Sequence, residues 1–151
     1  MKYWLFKSEP TTYSYDDLER DGSTEWDGVR NFQARNFLRN DMKVGDQVLF
    51  YYSSTNPQAV VGIAEIVKAG YPDSSAWDPK DKHFDPKSTE ANPIWYRVDI
   101  APKQRFKQTV TLEAIKKHPS LGKMVLVQRS RLSIQPVEED EWRTIVDLGM
   151  K

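Results

Sequence analysis

Four short clusters in the sequence combine aromatic, charged and hydroxyl-bearing residues that suit the binding of a flat polar ligand. They are segments 7–10, 26–31, 51–53 and 131–135, which read KSEP, WDGVRN, YYS and RLSIQ. Each cluster lies at or beside the end of a predicted strand, where the pockets of small β-folds open. Aromatic rings can stack on a nucleobase while neighbouring donors and acceptors read its polar edges. The four clusters together therefore predict a nucleobase pocket.

Every residue in these clusters also has an ordinary structural explanation. Trp26 could belong to the core, and Asp27 or Asn31 could cap the helix that follows. Arg30 could form a salt bridge. The functional interpretation depends on the four clusters meeting in space.

The residues that usually carry catalysis are sparse. His83 stands between Asp81 and Asp85, and His118 stands alone, which makes a weak metal site. The chain has no cysteine and no Gly-x-Ser-x-Gly segment, and its seven glycines never cluster into a phosphate loop. The acidic pairs at 16–17 and 138–139 fall at predicted helix starts, where they offset the helix dipole. We expect no enzymatic activity, no metal and no cofactor.

Charge is balanced overall but segregated along the chain. The sequence has 22 basic and 22 acidic residues. Residues 97–131 contain nine basic and two acidic residues, whereas residues 1–96 and 138–151 are net acidic. Lys103, Arg105 and Lys107 alternate, so a strand would project them to one side. This pattern predicts one basic face for a polyanion, against the alternative of an ordinary mixed surface.

Length and composition favour one globular domain over residues 1–151. The chain is 38% hydrophobic, and its five tryptophans, seven tyrosines and six phenylalanines make up 12% of it. No apolar run approaches the roughly 20 residues of a membrane helix, and the first apolar stretch is too short for a signal peptide. We expect a soluble, intracellular, cytoplasmic protein with access to the nucleoid and no membrane partner.

The predicted elements are mostly strands that follow one another in the middle of the chain. The strands are predicted at 3–7, 47–53, 59–67, 94–101, 104–111 and 131–137, the last being an edge strand because of Pro136. The helices are predicted at 15–20, from 31 to about 42, 111–117 and 138–148, with Ser14, Asn31 and Thr111 as caps. Consecutive strands favour a mixed or antiparallel barrel with peripheral helices. The proline-rich stretch 70–93 is a long loop of the kind that is often functional.

The longer motifs resemble the EVE-domain family, which is related to the YTH domains. The resemblance rests on segments 7–10, 26–36 and 131–137, on Gly45-Asp46 before 48–53, on 62–64, on Tyr71-Pro72-Asp73, and on Trp95 before Val98-Asp99. It covers nearly the whole chain in order. It implies an α+β, PUA-like fold, a small mixed β-barrel of about six strands with short peripheral helices.

The resemblance also implies a partner, a nucleic acid that carries a modified base. YTH domains cage a methylated adenine, and EVE domains are linked with modified cytosine in DNA and, for some members, with modified RNA. Segments 7–8 and 26–27 match positions that line the YTH base pocket. Asp27 and Glu9 replace neutral residues there, and a carboxylate can accept from the N4 amino group of cytosine.

The sequence therefore predicts a non-enzymatic reader of a modified base, most simply a modified cytosine in DNA. The predicted base-pocket residues are Lys7, Ser8, Glu9, Pro10, Trp26, Asp27, Gly28, Val29, Asn31, Tyr52, Ser53, Leu132 and Ser133. The predicted phosphate-binding residues are Arg30, Arg131, Lys103, Arg105 and Lys107. Two alternatives stay open, a small enzyme that acts on a flipped base through Glu9 or Asp27 and a module that binds a small molecule or a protein. The modification, the choice of DNA or RNA and the oligomeric state are left open.

Overall fold

The fold is organised by one mixed β-sheet. The computed structural model describes residues 1–129 and 131–151. Within this part of the chain, six strands pair in the order β2-β5-β4-β3-β1-β6. They are β1 (Tyr3–Ser8), β2 (Thr24–Trp26), β3 (Gln47–Tyr52), β4 (Ala59–Pro72), β5 (Tyr96–Thr111) and β6 (Ile134–Val137). β1 and β3 are parallel, and the other neighbours are antiparallel.

Short helices surround the sheet. Those in the described residues are α1 (Tyr15–Asp21), α2 (Phe32–Asn36), α3 (Leu112–Lys117), α4 (Val125–Gln128) and α5 (Glu139–Gly149). α2 continues as a π-helical turn over Phe37–Asp41, and a 3-10 turn spans Ser74–Trp77. The predicted caps are confirmed, because the side chains of Ser14, Asn31 and Thr111 each accept a backbone N–H of the helix that follows. None of the helices described is both long and apolar enough to cross a bilayer.

Each face of the sheet supports its own hydrophobic core, because side chains alternate along a strand. Phe6 of β1 and Phe50 of β3 point into a first core, which Leu18 of α1 and Leu38 of the π-helical turn after α2 cover. Residues of opposite parity, such as Leu5, point into a second core that α3, α4 and α5 complete. Both faces of the sheet are therefore packed against a hydrophobic core.

The α+β class and the six-stranded mixed sheet with short peripheral helices are confirmed, with the correction that the predicted small barrel does not close. The sheet is open, since β2 pairs only with β5 and β6 pairs only with β1 in the chain as described. Pro136 in β6 lacks the N–H needed for a neighbour on its other side, which favours an edge position.

Two of the predicted strands are one. β5 runs without interruption through Pro102, where its register against β4 shifts between Ile63 and Ala64. A bulge of this kind accommodates a residue that cannot donate to the ladder. The sixth strand is instead β2, which pairs Trp26 with Val98 and places that tryptophan in the sheet.

Candidate functional site

A pocket opens where β1 and β2 end, and its volume is about 560 Å³. That volume lies within the range of roughly 300–1,000 Å³ typical of ligand sites. The lining combines hydroxyl, carboxylate, cationic and aromatic side chains. It consists of Lys7, Ser8, Glu9, Thr12, Tyr13, Thr24, Glu25, Trp26, Asp27, Gly28, Val29, Arg30, Lys82, His83 and Ser133.

The structure brings together most, not all, of the predicted pocket residues. Lys7, Ser8, Glu9, Trp26, Asp27, Gly28, Val29 and Ser133 line the pocket, together with Arg30, which was predicted to bind phosphate. Pro10, Asn31, Tyr52, Ser53 and Leu132 do not line it.

Three of the five predicted residues that lie outside the pocket have structural roles. The Asn31 side chain caps α2 through a hydrogen bond from the Ala34 N–H, at 3.0 Å. The Tyr52 hydroxyl accepts the Tyr15 N–H at 2.8 Å, and Leu132 is buried in the first core.

Trp26 is both a wall of the pocket and a part of the first core. Its ring lies 5.4 Å from the Phe6 ring and 5.7 Å from the Phe50 ring, and it meets Tyr13 edge-on at 6.3 Å. The side chain is half-buried, so part of its surface faces the cavity. These contacts fix the orientation of the ring, which makes it a preformed surface for a flat ligand.

Asp73 ties the 26–30 segment to the rest of the fold. This carboxylate is fully buried and accepts the Gly28 N–H at 2.9 Å, the Arg30 guanidinium at 3.0 Å and the Ser75 hydroxyl at 2.6 Å. Arg97 of β5 is a further ion-pair partner at 3.6 Å. Burial alone would raise the pKa of Asp73, but the hydrogen bonds from Ser75, Gly28 and Arg30 outweigh it and lower the pKa. The residue therefore remains an anion that positions the pocket wall.

Gly28 brings the pocket wall against the long loop. Its φ of 76° lies in the left-handed region, which favours glycine. A Cβ atom at this position would come within 2.5 Å of Cε1 of the His83 imidazole. Arg30 donates to the His83 carbonyl at 3.0 and 2.7 Å, so the loop is fastened to the same segment.

The pocket lining places carboxylate groups beside cationic side chains. Asp27 is exposed as a residue, but partial desolvation of its carboxyl group raises the pKa of Asp27, and the negative charge of Asp73 raises it further. Burial lowers the pKa of Lys7, whose ammonium lies 6.0 Å from the centre of the Tyr51 ring. Acceptors from Glu9, Glu25 and Asp27 thus share one cavity with donors, as recognition of a polar heterocycle requires.

The sequence reasoning missed several residues of the site. Those that line the pocket without having been predicted to do so are Thr12, Tyr13, Thr24, Glu25, Lys82 and His83. The sequence suggests His83 only as a weak metal ligand, although the length of the 70–93 loop favours a functional role. Asp73 lies in a motif that supported the family resemblance, but its role depends on contacts with residues distant in sequence.

The predicted phosphate-binding residues do not form one surface. Arg30 is held by Asp73 and His83 at the pocket. Arg131 lies with Asn31 and Leu132 at a second, shallow depression. Lys103 pairs with Glu65 at 3.8 Å, and Arg105 forms ion pairs with Asp16 and Glu19 of α1. Lys107 is exposed on β5.

The family assignment follows from comparison with known proteins. Residues 2–148 match the EVE domain. The chain belongs to the EVE-domain family. This confirms the resemblance seen in the sequence, and the match extends over the fold and the pocket described above.

Similar proteins support the assignment at the levels of sequence and structure. Thymocyte nuclear protein 1 of Gallus gallus is 40% identical over 165 residues, which cover 97% of this EVE chain and 68% of that protein. A crystal structure from Pseudomonas putida is 46% identical, with a TM-score of 0.93, and covers 98% of this chain and 99% of that one. The human THYN1 protein, solved in complex with DNA containing 5-methylcytosine, is 37% identical, with a TM-score of 0.94, over 100% of this chain and 99% of that one.

Proposed function

We propose that this EVE-domain protein is a reader of modified cytosine in DNA and takes the modified base into the pocket beside Trp26. The observation that carries the proposal is the full-length structural similarity, at a TM-score of 0.94, to a protein bound to DNA containing 5-methylcytosine. The pocket supports it independently, because its volume of about 560 Å³ and its mixed polar lining suit a nucleobase.

The base must leave the helical stack, or be single-stranded already, to enter such a pocket. Trp26 then stacks on its face, and the Asp27 carboxylate accepts from the exocyclic N4 amino group. An ionised carboxylate can only accept hydrogen bonds, so it matches the cytosine amino group and opposes the O4 acceptor of thymine. Lys7, Ser8 and Ser133 supply further polar contacts at the rim.

The proposal includes binding without chemical conversion. In the described residues, no group of three or more histidine, aspartate or glutamate side chains is arranged to hold a metal ion. The carboxylates of Glu9 and Asp27 are the acid–base candidates for the alternative function, a base-processing enzyme. Incubation with a modified oligonucleotide, followed by nucleoside analysis, should return the oligonucleotide unchanged. A product that disappears in Glu9→Gln or Asp27→Asn would establish the enzyme instead.

The decisive experiment is a binding panel on oligonucleotides of one sequence that differ at a single position. That position carries cytosine, 5-methylcytosine or thymine, in single-stranded DNA, in duplex DNA and in RNA. We expect the tightest binding to DNA with 5-methylcytosine, measured by fluorescence anisotropy at fixed salt. Equal affinity for cytosine and 5-methylcytosine would refute modified-base reading, and a preference for RNA would refute the assignment to DNA.

A further inference from the structure

The strand that was predicted to form the basic face is largely neutralised. Arg105 is paired with two carboxylates of α1, and Lys103 with Glu65 of β4. An arginine that already has two anionic partners gains little from a phosphate, because binding would exchange one ion pair for another. The positive charge of this strand is therefore poorly placed to hold a polyanion.

A second set of arginines interacts with neutral partners. Arg39 donates to Asn40 and Asn36, at 3.0 and 3.4 Å, and Arg129 donates to Gln33 at 2.9 Å. Arg35 donates to Asn36 at 2.9 Å and to the Ile94 carbonyl at 2.8 Å. With Arg131 they make an arginine strip, defined as Arg35, Arg39, Arg129 and Arg131. Among the described residues, none of the four has a carboxylate partner.

Two members of the arginine strip, Arg129 and Arg131, lie directly beside the pocket. Arg129 and Arg131 line the shallow depression together with Asn31 and Leu132. Arg30, which precedes Asn31, and Ser133, which follows Leu132, both line the main pocket. The two concavities thus share adjacent stretches of backbone, and a chain passing over the strip would reach the pocket mouth.

An exposed aromatic side chain, Phe32, directly follows Asn31 of the shallow depression. Phe32 begins α2, and 59% of its surface is exposed. Its ring is stacked on Trp95 with 4.9 Å between centroids and 29° between planes. Guanidinium groups lie near both rings, with Arg30 5.3 Å from the centre of the Trp95 ring and Arg35 5.1 Å from the centre of the Phe32 ring. The Phe32 ring is therefore held in place while more than half of the residue's surface stays open to solvent.

We propose that Phe32 and the arginine strip bind the stretch of strand that flanks the extruded base. The arginines hold its phosphates, and Phe32 packs against the neighbouring base. Arginines without anionic partners and a fixed, exposed aromatic ring are the two components that single strands use for binding. The proposal rests on the proposed function for the position of the strand, since the extruded base fixes which nucleotides lie over the strip.

The strip is tested by the salt dependence of binding to a single-stranded oligonucleotide with 5-methylcytosine. The test variant is Arg39→Gln with Arg129→Gln, both exposed positions. Its control is Lys103→Gln with Arg105→Gln, which removes the same charge. We expect the test variant to lower the slope of log affinity against log salt by roughly 1.4, at about 0.7 per lost contact. The control should lower it by less than half as much, and equal slopes for the two variants, or an unchanged slope for the test variant, overturn the proposal.

The role of Phe32 is tested with 2-aminopurine placed next to the 5-methylcytosine, because its fluorescence depends on stacking. Phe32→Ala should weaken binding about fivefold or more and change the fluorescence of the bound probe, whereas Phe32→Tyr should behave as the wild type. Thermal melting of both variants checks that the fold is retained. Wild-type affinity and fluorescence in Phe32→Ala would refute the packing role.

The proposed function fails by a separate result. If the wild type binds cytosine and 5-methylcytosine oligonucleotides equally, the pocket does not read the modification. The slope comparison between the two double variants would still decide whether the strip holds the strand. Conversely, a retained preference for 5-methylcytosine with unchanged slopes would refute the strip alone.

Discussion

Replacing Asp27 with asparagine should reduce the ability of the pocket to tell 5-methylcytosine from thymine. The two bases share the 5-methyl group and differ at the exocyclic position, an amino donor in one and a carbonyl acceptor in the other. The wild-type carboxylate only accepts, so it favours the amino group. An amide both accepts and donates, so the side chain introduced by Asp27→Asn can pair with either base.

The magnitude follows from the position of Asp27 at the pocket mouth. A well-formed base contact contributes about 1–3 kcal/mol of discrimination. The Asp27 residue is accessible to solvent in the free protein, so the lower part of this range applies. About 1.5 kcal/mol corresponds to about a tenfold change in the ratio of dissociation constants.

The assay compares oligonucleotides that carry 5-methylcytosine or thymine at one position, with wild type and variant side by side. The cost of extruding each base is the same for both proteins, so it cancels in the ratio of ratios. Asp147→Asn, at an exposed position on α5, is the matched control for loss of one negative charge. A ratio that is unchanged in Asp27→Asn, or that changes equally in Asp147→Asn, would show that Asp27 does not read the base.

The pH dependence of binding gives a second readout. Burial and the nearby Asp73 charge raise the pKa of Asp27, so its carboxyl takes up a proton at a higher pH than an ordinary aspartate, whose pKa is about 3.9. Protonation removes the acceptor, and affinity for 5-methylcytosine should fall as the pH is lowered through that range. Asp27→Asn should lack this part of the pH profile.

Three further predictions concern stability at and near the site. Asp73→Asn should lower the free energy of unfolding by about 3–5 kcal/mol in urea titrations, since it leaves Arg30 without its buried partner. Because folding lowers the pKa of Asp73, the difference in free energy of unfolding between wild type and Asp73→Asn should be complete above about pH 4 and shrink as the pH falls further. A difference that stays constant with pH would contradict the ion-pair explanation. Trp26→Ala should lower both the melting temperature and the affinity for 5-methylcytosine. Trp26→Phe should recover most of the affinity. Loss of stability with full affinity in Trp26→Ala would make Trp26 a core residue only. Burial raises the pKa of Tyr51 to about 12, so the wild type should lose stability relative to Tyr51→Phe as pH rises from about 10 toward 12, measured by melting in alkaline buffers.

Features set by local sequence were predictable. Ser14, Asn31 and Thr111 cap helices as their side chains and positions indicate, since a cap depends on residues three positions away. Pro136 marks an edge strand for an equally local reason, its missing N–H. The alternation of Trp4, Leu5 and Phe6 between two cores follows from the period of a strand.

Features set by distant pairing were not predictable from the sequence. Trp26 follows a polar stretch, yet it joins the sheet because Val98 pairs with it. The wall formed by Gly28 and Arg30 depends on Asp73, and the loop residue His83 has no local signal that places it at the pocket. The ion pairs of Arg105 with α1 likewise arise only when the chain has folded, so a net charge summed along the sequence does not include them.

The contact between Gly28 and His83 has a consequence for any attempt to move this site to another scaffold. Segment 26–31 carries the Trp26 ring and the Asp27 carboxylate. Its backbone donates to Asp73 through the Gly28 N–H, and its Arg30 side chain donates to the His83 carbonyl of the long loop. Grafting that segment alone would transfer the side chains without the constraints that orient them. The pocket wall is portable only when segment 26–31 is moved together with the connection from Asp73 to His83, and a redesign that changes one of these segments must re-fit the other.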